Sequence, residues 1–165
     1  MKERLQIWKA AFAMIQDHPV LGVGIGAFPK ANEEYAQEIA DGGKVFGRAG
    51  AERVDAHSTY LTAWSELGTV GLLAYCALLA ATLYRLQSVR RRCRRSAPQE
   101  CASLGMLQAG LVGYCVACVW ATYTVLTLPY LFLALSVSWA TAVDDWQRAQ
   151  ARQATAAVPR RPASR

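Results

Sequence analysis

At 165 residues the chain is of single-domain length, and 18 Lys and Arg against 12 Asp and Glu leave a net charge of +6. The excess is lopsided, because residues 1–66 carry seven basic and nine acidic side chains whereas the remainder carries eleven Arg and three acids. Those arginines stand in two blocks beside apolar runs, not interleaved with aromatic residues over a surface, so the pattern argues against nucleic-acid binding and for membrane topology.

No cleavable signal peptide is expected, since Lys2, Glu3, Arg4 and Lys9 interrupt the apolar residues that its central region would need. Residues 3–16 instead set Arg4, Trp8, Ala11, Phe12 and Ile15 along one face of an amphipathic helix, closed by His18 and Pro19. The segment Pro19 to Pro29 alternates Gly with Val, Ile and Ala, which predicts an extended or re-entrant loop lying close to other backbone. Gly22, Gly24 and Gly26 have the spacing G-x-G-x-G and no preceding strand, so they are not a dinucleotide fingerprint. A helix is expected over Ala31 to Ile39, then a solvated loop with Gly42, Gly43, Gly47 and Gly50. Asp55 is the expected N-cap of the next helix, on which His57, Tyr60, Leu61 and Trp64 would share a face while Glu66 would lie opposite.

The first membrane span is expected over residues 67–84, rich in Leu72, Leu73, Leu78, Leu79 and Leu83. A basic loop follows over 85–103, with Arg85, Arg90, Arg91, Arg92, Arg94 and Arg95. From Leu104 to Val143 there are forty residues without a charged side chain, about twice the ~20 needed to cross a ~30 Å hydrocarbon core. Pro129 supplies the break, giving spans over 104–126 and 129–143. Residues 144–165, with Arg148, Arg152, Arg160, Arg161 and Arg165, read as a basic disordered tail. Both arginine blocks can be cytoplasmic only if the run between them crosses twice, which places residues 1–66 outside the cytoplasm. Tyr60, Trp64, Tyr123, Tyr130 and Trp146 fall where an interfacial aromatic belt would.

The expected fold is therefore an all-α membrane protein with about three transmembrane helices preceded by an extracytoplasmic helical loop region. Ala109, Gly113, Ala117 and Ala121 form a small-residue stripe along which another helix could approach, suggesting a fragment of a larger polytopic fold. Of the five cysteines, Cys76, Cys115 and Cys118 lie in apolar runs and Cys93 and Cys101 beside the Arg block, settings that favour neither disulfides nor a metal site.

Two blocks together carry a family resemblance. The first is Arg4, Trp8, Ala11, Met14-Ile15, His18-Pro19, Gly22, Gly24, Gly26 and Phe28; the second is Ala56-His57-Ser58, Tyr60-Leu61, Glu66-Leu67-Gly68 and Gly71-Leu72-Leu73. In this order and followed by membrane spans, they resemble the C-terminal portion of the O-antigen ligases and related O-antigen polymerases. The resemblance implies further membrane helices upstream and a bacterial inner-membrane location, multi-pass, with the N-terminal region periplasmic. It implies transfer of a glycan from undecaprenyl diphosphate to an acceptor hydroxyl, on the lipid A core for a ligase or on another glycan for a polymerase, without metal or other cofactor. The implied partners are the undecaprenyl-diphosphate-linked glycan, the acceptor and membrane lipids, with no nucleic acid. A non-catalytic truncated membrane remnant is the alternative.

By the same resemblance, His57 and Arg4 are the catalytic candidates, and Arg4, Glu66 and Tyr60 the substrate-binding ones. The residue types suit the chemistry. A guanidinium is a permanent charge with paired donors for a leaving diphosphate, and an imidazole accepts a hydroxyl proton near neutral pH. The topology is checked with reporter fusions: one placed after Arg95 should read as cytoplasmic and one near Gly47 as periplasmic, and the reverse pattern would overturn the orientation.

Overall fold

A computed structural model of the chain describes residues 2–39, 56–94, 96–122 and 127–156. These residues form α1 (Lys2–Asp17), α2 (Phe28–Ile39), α3 (Thr59–Cys93), α4 (Pro98–Ala117) and α5 (Thr127–Ala156). No strand occurs among the described residues, so the architecture is all-helical. Asp55, Arg48, Arg53, Tyr123, Arg95 and the glycines at 42, 43, 47 and 50 lie outside the described residues. The chain divides into two compact units, the first comprising Met1–Ala80 with Val112–Pro129 and the second Ala81–Leu111 with Tyr130–Arg165.

In the first unit, α1 and α2 close a small core around Ala10, Ala11, Met14, Ile15, Phe28, Ala31, Ala56 and Leu61. The buried stripe of α1 is thus rotated from the expected face. Phe12 is exposed and meets only the edge of Trp64, with ring centroids 6.4 Å apart, because the ring filling the core is Phe28 from the start of α2. Helix α2 begins earlier than expected, with Pro29 in its first turn, where the missing N–H costs no hydrogen bond.

Helix α3 is broken once, at Gly68, whose φ of 68° and ψ of −169° lie outside helical space. In an unbroken helix the N–H groups of Thr69 and Val70 would donate to the Ser65 and Glu66 carbonyls. Here the Pro19–Gly24 loop intervenes on both sides of the break. Thr69 N donates to Pro19 O (2.9 Å) and Val70 N to Val20 O (3.4 Å), while Val23 N donates to Ser65 O (2.9 Å) and Gly24 N to Glu66 O (2.9 Å). Thr69 Oγ1 adds a bond to Pro19 O at 2.8 Å. The backbones approach so closely that a Cβ on Gly22 would stand 2.6 Å from Gly68 N, and one on Gly68 would stand 2.6 Å from Leu21 N.

Helices α3 and α4 are each long and apolar enough to cross a membrane. Only 22% of the apolar window of α3 and 11% of that of α4 is buried within the chain, unlike the core helices of a soluble domain. Val70, Leu73, Met106, Val112 and Val116 present their side chains outward. In the first unit the two helices are joined through Tyr75, whose hydroxyl pairs with that of Tyr114 at 2.8 Å. The expected stripe on α4 is left unfilled at Ala109 and Gly113, both exposed, and nothing lies within 4 Å of the Cβ position of Gly113.

The helix boundaries differ from the sequence expectation in three places. Helix α4 stops at Ala117, short of residue 126, because carbonyls at its end are drawn into the site described below. Pro129 does not break a helix but sits in the first turn of α5. Finally, α5 runs through Val143 to Ala156, carrying the start of the expected tail in helical form.

An ion cluster orders that last stretch in the second unit. Asp144, with only 3% of its side chain exposed, accepts from Arg148 Nη2 at 2.8 Å, Arg92 Nη1 at 3.2 Å and Arg85 Nη2 at 3.3 Å. Trp139 Nε1 donates to Ser103 Oγ at 3.0 Å and Gln147 Nε2 to Ser96 Oγ at 3.1 Å, tying α5 to α4 and to the α3–α4 turn.

The break in α3 predicts unequal glycine tolerances. Gly68→Ala and Gly22→Ala combine a left-handed φ with a backbone collision and should each cost about 3 kcal/mol or more. Gly26→Ala has the positive φ but open space and should cost about 1 kcal/mol. The ranking is read from thermal unfolding midpoints of the detergent-solubilised protein.

Candidate functional site at the α1, α3 and α4 termini

Arg4 lies on the first turn of α1, one helical turn before Trp8. Its guanidinium carbon stands 5.5 Å from the centroid of the Trp8 ring, a cation–π contact that restricts the side chain. Trp8 is itself fixed by donating Nε1 to Ala56 O at 2.9 Å. So directed, Arg4 Nη2 donates to His57 O at 2.7 Å and to Trp120 O at 3.2 Å, while its buried Nε has no hydrogen-bond partner.

His57 precedes α3 instead of lying on it, with a φ of 50° that is the sole positive value for a non-glycine among the described residues. Such a conformation is costly for a residue with a Cβ and persists only where neighbours impose it. Its neighbours do so from both sides: the carbonyl of His57 is held by Arg4, and Ser58 and Thr59 are held by the turn that follows α4. The imidazole is exposed. Ser58 serves as the N-cap in place of the expected Asp55, its Oγ accepting from Leu61 N at 3.5 Å.

The C-terminus of α4 supplies the other half. The last carbonyls of a helix lack intrahelical donors and carry the negative end of its dipole, and here the acceptors are Cys115 within α4 and Cys118, Trp120 and Ala121 in the turn that follows it. Cys118 O accepts from Thr59 N at 2.8 Å, Ala121 O from Thr59 Oγ1 at 2.7 Å, Cys115 O from Tyr60 OH at 3.0 Å and Trp120 O from Arg4. A cation, two polar side chains and one main-chain amide thus meet the end of α4 and the turn after it, and the same contacts set the backbone of His57.

Of the expected site residues, Arg4, His57 and Tyr60 converge at this junction. Glu66 does not join them through any hydrogen bond. Its Oε1 accepts from Phe28 N at 3.2 Å, which holds the start of α2 to the broken region of α3. Sequence reasoning missed Thr59 and the α4 carbonyls, since a main-chain acceptor leaves no mark on residue type.

Residues 1–76 match the family model described as O-antigen ligase. That match supports the O-antigen ligase-like reading of this stretch. The family match therefore takes in α1, α2, the broken region of α3, and with them Arg4, His57, Tyr60 and Glu66. No curated protein and no solved structure matches the chain. The match to a membrane family over residues 1–76, together with two long, outward-facing apolar helices, supports a membrane protein.

If Arg4 fixes the turn at residues 56–59, lysine should not replace it, because it has no planar guanidinium whose carbon sits over the Trp8 ring while one terminal nitrogen donates to both carbonyls. In hydrogen exchange of the detergent-solubilised protein, Arg4→Lys should speed exchange of the Thr59 amide by a factor corresponding to about 1–2 kcal/mol. Unchanged exchange would show that Trp8 and Thr59 hold the turn alone.

Proposed function

We propose that the chain carries the glycosyl-transfer centre of an O-antigen ligase-type enzyme of the bacterial inner membrane, with residues 1–66 on the periplasmic side. The observation that carries this reading is the coincidence of the family match with the Arg4–His57 contact. In the reaction, the exposed imidazole of His57 takes the proton of the acceptor hydroxyl. The acceptor oxygen then bonds to the anomeric carbon of the glycan as the bond from that carbon to the undecaprenyl diphosphate breaks. The electron pair leaves with the diphosphate, whose growing charge is met by Arg4.

Arg4 has two edges in this scheme. Nη2 is committed to the His57 and Trp120 carbonyls, whereas Nη1, which is not among the buried unpartnered atoms, remains for a phosphate oxygen. Tyr60 and Glu66 contribute as positioning residues, Tyr60 through the end of α4 and Glu66 through the start of α2. The acceptor is a hydroxyl of the lipid A core or of a second glycan.

His57→Asn isolates the chemistry, since asparagine tolerates a left-handed φ yet cannot act as the base. In membranes supplied with the undecaprenyl-diphosphate-linked glycan and acceptor, transfer by His57→Asn should fall by roughly 10²–10⁴-fold with membrane abundance unchanged. Arg4→Ala should also lose transfer. Full transfer by His57→Asn would remove the proposed mechanism.

A further inference from the structure

The arginines after the first apolar helix are not equivalent. Within the second unit, Arg85, Arg92 and Arg148 share the carboxylate of Asp144. Arg90, Arg91 and Arg94 have no carboxylate partner among the described residues and together line a cleft of about 270 Å³ with Gln87 and Cys101. Positions 87, 90 and 91 share one face of α3 by their spacing, and Arg94 follows directly on the end of that helix. Three guanidinium groups around one cleft repel one another, and their repulsion falls when an anion enters.

The cleft is also organised. Gly105 on α4 leaves room for the Arg90 guanidinium, whose Cζ is 3.2 Å from where a Cβ would stand, and Arg90 Nη1 donates to Gln108 Oε1 at 3.3 Å. The Oε1 of Gln87 is buried and has no hydrogen-bond partner. Since the two ends of an amide are told apart only by their partners, an anionic oxygen there would take the Gln87 amide as a donor. Planar donors from several arginines around a small space match a tetrahedral anion with several oxygens.

We propose that this cleft binds a phosphate group, with an anionic membrane lipid as its source, anchoring the α3–α4 turn at the bilayer surface. Basic clefts beside membrane helices take lipid headgroups in this way. The site is separate from the proposed transfer centre and does not depend on that activity.

Cys101 lines the cleft and provides a local readout. The full chain in an uncharged maltoside detergent is treated with N-ethylmaleimide, and modification of Cys101 is followed by peptide mass spectrometry. Three additions are compared at constant ionic strength: phosphatidylglycerol, inorganic phosphate and chloride. Phosphatidylglycerol should slow Cys101 modification by roughly tenfold in the native chain, and Arg91→Gln/Arg94→Gln should abolish that protection. Arg152→Gln, an exposed substitution on α5, should retain it. Protection by inorganic phosphate as well would support the cleft with a soluble source, and protection by the lipid alone would support it with a membrane source. Protection by none of the three, by all three equally, or equal loss in the Arg152 control would overturn the proposal.

Discussion

Two N–H groups and two carbonyls leave the helical ladder where α3 turns at Gly68, and four main-chain groups left unpaired away from water carry a heavy desolvation cost. The Pro19–Gly24 loop meets all four, donating two hydrogen bonds and accepting two. That exchange demands backbone contact with no intervening side chain, hence glycine at both Gly22 and Gly68. Everything in the first unit hangs from this join. It fixes where α1 ends relative to α3, brings Phe28 N to Glu66, and lets Phe28 close the core between α1 and α2.

A second main-chain problem is solved at the end of α4. Carbonyls of its last turn and of the turn that follows point at the start of α3, and Thr59, Tyr60 and Arg4 supply the donors. Arg4 consequently joins α1, the turn at His57 and the end of α4 through one guanidinium. The geometry of His57 is the by-product: its left-handed backbone is imposed by contacts to its own carbonyl and to its two successors, which leaves its imbalance in strain to be borne by the surrounding bonds and its imidazole facing solvent.

The second unit uses arginine differently. Asp144, nearly inaccessible to solvent, gathers three guanidinium groups and so turns the start of the basic tail into ordered helix. The arginines beyond its reach line the cleft beside Gly105. One residue type thus acts as a helix cap in the first unit and as an ion-pair partner or an unneutralised charge in the second, according to whether carbonyls, a carboxylate or open space faces it.

The sequence by itself determined the helical class, the apolar runs and the family blocks, because run length, arginine placement and residue spacing are properties of the chain read in order. Glycine alternation over Pro19–Pro29 even signalled a close backbone approach, though not its partner. Tertiary structure alone decided that α4 ends at Ala117, that Ser58 caps α3, that Phe12 faces outward while Phe28 fills the core, and that α5 continues past Val143. It also decided that Arg4 reaches the His57 carbonyl across 53 positions of chain, whereas Glu66 turns to Phe28. These outcomes turn on main-chain carbonyls, amides and one shared carboxylate. Their pairing depends on which segments meet in space, and residue type along the chain does not encode that.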